Sequence, residues 1–556
     1  MEAAMLPSTR QCDAALRIVA QLRAAGYEAY FAGGCVRDLL LGREPKDYDV
    51  ATSATPDVVL KMFPRTFAVG ARFGVVLVSA CGGADSGDAA EGKLTPPQVV
   101  TEVATFRSDG AYSDGRHPDG VRYTASAEED VRRRDFTING LLLDPEKLFS
   151  QELSEKTHPS HKNKDVARVG HPDSLAEVKV RAEARTLQSK EDASGAEQAA
   201  ESILQNGTEC QGTTLVVPQM PKKRGASTPA DCFSGASIQH LRVAVIDHVG
   251  GLADLKVGVV RAIGQPELRF EEDHLRMLRG VRFAARFGFE LEAGTKRAIH
   301  LLAPKIAAVS RERVRDELTK MLTEGHARRA FELLDETGLL AETLPEIARM
   351  KGVEQPPQFH PEGDVWRHTL LVLGQLEEGC SLTLAWGALL HDVGKPPTFR
   401  RAERIRFDGH AGVGAAMAAE ICRRFRFSND ETRQTLALVE NHMRFMDATR
   451  MKTSTLKRFF RLENFPEHLA LHRMDCLASN GNLDNWEFVR ERLAAIPEEA
   501  VRPRPLLTGR ELIAAGYKPG PRFQPMLRAV EDAQLEGAIE TGAEAMALIL
   551  ELFPLA

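Results

Sequence analysis

Two hydrophobic periods divide the chain. Between residues 11 and 143 a helical pattern (Ala14 to Ala24) precedes short apolar runs at Tyr30 to Ala32, Val75 to Val78 and Val99 to Thr105, separated by Gly and Asp. Apolar positions three and four residues apart mark a helix face, whereas short apolar runs between turn residues mark strands. From about Glu271 the helical period takes over and continues nearly to the last residue. The pattern predicts an α/β head followed by an all-α body, with no internal repeat.

Two stretches carry neither period. Ala80 to Pro97 is rich in Gly, Ala and Asp and lies between two strand candidates, so it reads as a long insertion in a hairpin. Residues 147 to 242 are dominated by Ser, Gln, Glu, Lys and Ala, with Phe149 and Phe233 as the aromatics. Such a segment buries too little apolar surface to offset chain entropy, which predicts a disordered insertion. The alternative is a small module that folds on a partner.

Composition narrows the class. At 556 residues, 43% of them hydrophobic, the chain is long enough for about three to four domains. Eight cysteines lie at scattered positions without a C-x-x-C pair, so neither a disulfide framework nor a zinc ribbon is predicted. No basic, apolar leader opens the sequence and no apolar run reaches the ~20 residues that span a bilayer. A soluble, cytoplasmic protein without a membrane partner is expected. The net charge of −6 argues against a uniformly basic nucleic-acid binder, yet Arg261 to Arg329 holds 15 Lys+Arg against 10 Asp+Glu, a local +5. Affinity for RNA needs a basic face rather than a basic average.

Three short motifs suggest chemistry. Gly33-Gly34 follows the Tyr30 to Ala32 run and precedes a helical stretch from Val36 to Leu41. Missing side chains let a phosphate approach backbone N–H groups, and Arg37 offers a bidentate phosphate contact; a plain tight turn is the bland alternative. Asp47 and Asp49, two apart on a predicted strand, would share a face and supply the oxygen ligands that Mg²⁺ favours. Arg132 to Gly140 then brings a run of arginines, Asp135 and Asn139.

Together GGCVRD, KDYDV, EVATFR (Glu102 to Arg107) and RRDFTINGLLLD resemble the head of class II tRNA nucleotidyltransferases and bacterial poly(A) polymerases, in the polymerase-beta-like superfamily. The likeness resumes at Val245 to Gly264, a segment that in the family follows RRDFTIN almost directly. It implies an α+β chain: a polymerase-beta-like head, built on a mixed sheet with helices, followed by an all-α neck and body. Glu272 to Arg276 resembles the family's neck motif, which reads the Watson–Crick edge of CTP or ATP. A carboxylate accepts from an exocyclic amine and a guanidinium donates to ring acceptors. The resemblance implies that Gly34, Arg37, Arg134, Asp135, Asp273, Arg276, Arg279 and Arg282 bind the nucleotide and that Asp47 and Asp49 hold catalytic Mg²⁺, with Glu102 as a third acid.

Further along, His391-Asp392 sits in an apolar helical run, where burying both groups is costly unless something pairs them. With His368 and Asp475 these residues resemble the four metal ligands of the HD phosphohydrolase superfamily; His410 and His442 match the extra histidines of some members. The likeness implies a divalent transition metal such as Ni²⁺ or Mn²⁺ and phosphatase or phosphodiesterase activity.

The expected domains are a head over 11–146, an insertion over 147–242, the end of the head and a linker over 243–270, a neck and body over 271–350, an HD domain over 351–490 and a helical tail over 491–556. The implied activity is template-independent CCA addition to tRNA from CTP and ATP. Its rivals are a poly(A) polymerase and, from another class, an HD phosphohydrolase using the head as an RNA-binding module. The acidic, apolar C-terminal segment favours the tRNA enzyme over the poly(A) polymerase. The oligomeric state is not legible.

Overall fold

The computed structural model describes residues 6–68, 74–80, 99–110, 120–148 and 235–555. Most of the predicted hairpin insertion and residues 149–234 of the predicted large insertion lie outside the described residues.

The head is a seven-stranded sheet. Its strands are β1 (Ala29–Ala32), β2 (Asp49–Thr52), β3 (Thr66–Phe67), β4 (Val75–Ala80), β5 (Val99–Thr105), β8 (Leu141–Leu143) and β9 (Val245–Asp247), in the order β3-β4-β5-β2-β1-β8-β9; the short pair β6 (Arg107–Asp109) and β7 (Val121–Tyr123) stands apart. β2 and β5 run parallel while the other sheet pairs are antiparallel. Register decides which residues are core. Phe31 pairs with Val50, Val50 with Val103 and Val103 with Val76, and all four are buried. The helix Arg10–Ala24, capped by the Thr9 hydroxyl, covers this core with Ala15, Ile18, Val19 and Leu22. Successive strand residues point to opposite faces, so Ala32, Asp49 and Glu102, one position along, share the other face. A slip of one residue would exchange core and cleft.

β4 and β5 pair up to Ala80 opposite Val99, so the first insertion joins two adjacent strands, and β8 and β9, which flank the second, are likewise neighbours. The second insertion is shorter than the sequence indicates. Leu148, Leu241 and Ala244 are buried in the head core, the latter two on the helix Gly235–Ala244. Their polar neighbours dilute the apolar signal, so composition alone places the boundary too far out.

The neck helix Leu275–Phe287 leaves the head and ends at Gly288 in a left-handed cap. Phe283 lies edge-on to Phe136 of the head, 5.9 Å between ring centres. One hydrophobic core then runs without a break from Phe136 through Leu278 and Phe331 to Trp386, Leu438 and Ala478. Neck, body and metal-ligand helices therefore share one packed core across residue 350. Two further cores, Phe445 to Val501 and Leu507 to Ile549, close the C-terminal part. The first spans the expected boundary at 490.

Candidate active sites

A cleft of about 530 Å³ opens between the sheet and the neck helix. Gly33, Gly34, Asp49 and Glu102 line it from the head, and Asp273, Arg276, Arg279 and Arg286 from the neck. Gly33 adopts a φ of 73°, and a Cβ there would stand 3.1 Å from Arg134 Nη1. The position favours glycine on both counts. Arg134 is held by Asp130 (Nη2 to Oδ2 3.0 Å) and by the Asn139 carbonyl.

Head and neck are stitched together by charge. Arg279 donates through Nε (2.9 Å) to Asp135 Oδ2, whose other oxygen accepts from Asn139 Nδ2 and the Phe136 N–H. Burial would raise the Asp135 pKa, but Arg279 and these donors pull it down to about 2. Asp273 accepts from Arg313 (2.9 Å) and from the Leu275 N–H, and Arg276 bonds Glu272 and the carbonyls of Arg269 and Arg133. Both polar groups are thus oriented at the cleft wall. Asp49 differs: burial, then the negative charges of Glu102 and Asp47, push its pKa up to about 6. A cleft that penalises an ionised carboxylate in this way favours a bound cation.

Three of the residues assigned from the sequence stand differently from the others. Asp47 does not share a strand with Asp49: β2 begins at Asp49, opposite Ala32, and Asp47 is exposed outside the cleft lining. Tyr48, buried edge-on against Phe31, lies in the same core as Val50. Arg37 is buried, with its guanidinium bonded to Asp38 and Asn139 and lying over the rings of Phe283 and Phe287. Arg282 is likewise turned inward, to Glu317 at 2.7 Å. Both line the cleft and, like Arg276 and Arg279, also bond groups of the protein.

The second site lies in the helical body. His368 comes from the helix Val365–Leu373, His391 and Asp392 follow the helix Leu382–Leu390, and Asp475 lies on Phe465–Ala478. His410 opens the helix His410–Arg424, and His442 follows Asn429–Asn441. A Cβ on Gly394 would stand 2.1 Å from the His410 carbonyl, so glycine is what lets the turn after Asp392 reach that helix. All six side chains converge. His368 Nε2 lies 3.2 Å from His391 Nε2 and 3.1 Å from Asp475 Oδ1, and His410 Nε2 lies 3.2 Å from His442 Nε2. Asp392 stands between the two sets, Oδ2 3.2 Å from His391 and Oδ1 3.6 Å from His410.

The donor set fits a divalent metal. Nδ1 of His391, His410 and His442 lies 2.7–2.9 Å from the carbonyl of Ala388, Phe407 or Val439, which leaves Nε2 as the lone-pair atom facing the cluster. Burial holds His442 at about 4 and lowers His410, keeping both neutral as ligands must be. His368 is the exception: burial would lower it, but Asp475 and Glu362 raise it to about 9, the demand for positive charge that a cation would meet. The ligand atoms form two groups, His368, His391 and Asp475, and Asp392, His410 and His442, each within 4.8 Å.

Sequence reasoning missed several supporting residues. Asn139 links Arg37 to Asp135, and Asp130 secures Arg133 and Arg134. Glu362 Oε1 lies 2.8 Å from His368 Nδ1 and Lys395 Nζ 2.7 Å from Asp392 Oδ2. The three-residue spacing from Asp392 marks Lys395 as its helical neighbour; nothing local marks Glu362.

Residues 29–157 match the Poly A polymerase head domain family, 288–351 the family described as the probable RNA and SrmB-binding site of polymerase A, and 365–480 the HD domain family. A CCA-adding enzyme of Geobacillus stearothermophilus is 32% identical over 428 residues, 74% of this chain and 77% of that protein. Another, from Geobacillus thermodenitrificans, is 33% identical over 60% of this chain, and the match spans 55% of its own length. The crystal structure of the Bacillus stearothermophilus CCA-adding enzyme in complex with CTP is similar in fold, with a TM-score of 0.61 over 98% of both chains at 24% identity. Among the described residues, no helix is long and apolar enough to cross a membrane.

Proposed function

The chain belongs to the family of tRNA nucleotidyltransferases and poly(A) polymerases, and on that premise we propose that it adds or repairs the 3′-terminal CCA of tRNA in the cytoplasm, using CTP and ATP without a template. One observation carries the reading: a single cleft joins the carboxylates of Asp49 and Glu102 to the base-reading set Asp273, Arg276 and Arg279.

The cleft lining supports the following roles. Gly33 and Gly34 keep the cleft floor bare, so a triphosphate reaches the backbone there, with Arg134 beside it. Asp273 accepts from the exocyclic amine that cytosine and adenine share, and Arg276 donates to the neighbouring ring acceptor. Arg279, fixed by Asp135, sets the angle between neck and head. Arg37 and Arg282 shape the wall. Asp47 and Asp49, with Glu102 beside them, would hold Mg²⁺, which would supply the charge stabilisation needed when the RNA 3′ hydroxyl attacks the α-phosphate and pyrophosphate leaves.

A second activity is read from the body. His368, His391, Asp392 and Asp475, with His410 and His442 alongside, hold a transition metal such as Ni²⁺ or Mn²⁺ for phosphoester hydrolysis. Lys395 holds the shared carboxylate of Asp392 and Glu362 orients His368.

The deciding assay supplies tRNA ending before the first C, tRNA ending in CC, and an unstructured oligonucleotide, each with CTP, ATP or both. Addition that stops at CCA is expected. Long A tails on the oligonucleotide would establish a poly(A) polymerase instead, and addition of CC alone or A alone would narrow the activity to part of the sequence.

A further inference from the structure

Between Lys395 and His410, both in the body cluster, the chain makes a hairpin in which Arg400–Arg401 pairs with Ile405–Arg406. Arg400 stands directly opposite Arg406, and Arg404 lies in the connecting turn. All four arginines are exposed. Arg401 reaches Glu354 at 3.4 Å, whereas no carboxylate among the described residues pairs with Arg400, Arg404 or Arg406. Like charges directly opposite each other on a strand pair are destabilising. An arrangement of this kind is relieved by an anion that accepts from both guanidiniums.

The hairpin is rooted in the candidate metal site. Phe399 and Phe407, at its base, contact each other with ring centres 5.9 Å apart. Lys395 Nζ lies 5.5 Å from the centre of the Phe407 ring, and the Phe407 carbonyl bonds His410 Nδ1 at 2.9 Å. Arg400 and Arg406 are each one residue from the base. A phosphate in the cluster and further phosphates along the ribbon would therefore belong to one continuous chain.

We propose that this hairpin is a phosphodiester-binding arm, which makes the body site act on single-stranded RNA ends in preference to free nucleotides. The proposal rests on the phosphohydrolase reading of that site. A mononucleotide is too short to engage the cluster and the arm together, so the arginines affect only the longer substrate.

The test compares the full-length protein with the double variant Arg400→Gln/Arg406→Gln. The substrates are a mononucleotide 2′,3′-cyclic phosphate and a short single-stranded RNA carrying the same terminus, with Mn²⁺ or Ni²⁺. CCA addition by the variant at the wild-type rate reports an intact fold. The expected result is a rise in KM of about tenfold for the RNA with kcat unchanged, and no change for the mononucleotide. The salt dependence of log kcat/KM on RNA should fall by ~1.4 for two lost phosphate contacts on a single strand. An unaltered KM and salt slope on RNA overturn the arm. So does a wild-type protein that hydrolyses the mononucleotide and not the RNA, with the phosphohydrolase reading left standing. Hydrolysis of neither substrate overturns that reading itself.

Discussion

Arg279 and Asp135 lie 144 positions apart in sequence and meet as an ion pair, with Nε and Nη2 of the arginine 2.9 and 2.8 Å from one carboxylate oxygen. The pair fixes where the neck helix stands over the sheet. Arg279→Lys retains the charge and loses the fork, and a drop of about tenfold in kcat/KM for both CTP and ATP is expected. A double-mutant cycle with Asp135→Asn should show coupling of about 1 kcal/mol or more. Additive effects would mean that the two residues act separately.

Asp49 is a destabilising residue kept for its chemistry. Its carboxylate is penalised by burial and by Glu102, with a pKa raised to about 6. For a carboxyl raised in the fold, the penalty is complete above that pH and disappears below the ordinary value near 4. Asp49→Asn should therefore abolish nucleotide addition while stabilising the protein at pH 7.5 by about 1 kcal/mol, after allowance for partial solvent screening. Thermal unfolding at pH 7.5 and at pH 4.5 checks this: the gain should shrink at the lower pH.

Asp392 turns one oxygen toward each histidine set. With two ligand groups sharing it, Asp392→Asn loaded with Mn²⁺ should carry at least one ion per chain fewer than wild-type protein by elemental analysis, the head cleft contributing equally to both. CCA addition should persist in the variant, because the substitution preserves shape within the common core. A variant that binds metal normally would remove Asp392 from the site.

His468 is buried beside Phe465, and burial holds its pKa at about 4. The unfolded chain takes up this proton near pH 6.5 and the folded chain only near 4, so stability falls as pH is lowered through that window, by up to about 2 to 3 kcal/mol. His468→Leu should flatten the acid branch of the stability curve between pH 6.5 and 4. An unchanged acid branch would assign the loss to other groups.

The two candidate sites differed in how plainly the sequence announced them. His391-Asp392 stood out because two ionisable groups in an apolar helical run need partners, and His368, His410, His442 and Asp475 supplied them across more than a hundred residues. Gly33-Gly34 and the neck motif were similarly visible. Asp47 lies just before β2, whose pairing starts at Asp49, and its charge still acts on that carboxyl. An arginine in a motif looks the same whether its guanidinium faces solvent or meets Asn139 or Glu317, as those of Arg37 and Arg282 do.

Local order along the chain determined the α/β head, the all-helical body, the glycine turn and the identities of most polar groups. Periodicity and residue chemistry are short-range properties. Tertiary structure alone decided the rest: that Asp49 and Glu102 share a face, that Asp135 anchors Arg279, that neck and metal-ligand helices have one core, and that Arg400 opposes Arg406. Each is a pairing across register or distance, set by how apolar faces close on one another. Such closure depends on the whole chain, and no local window of sequence contains it.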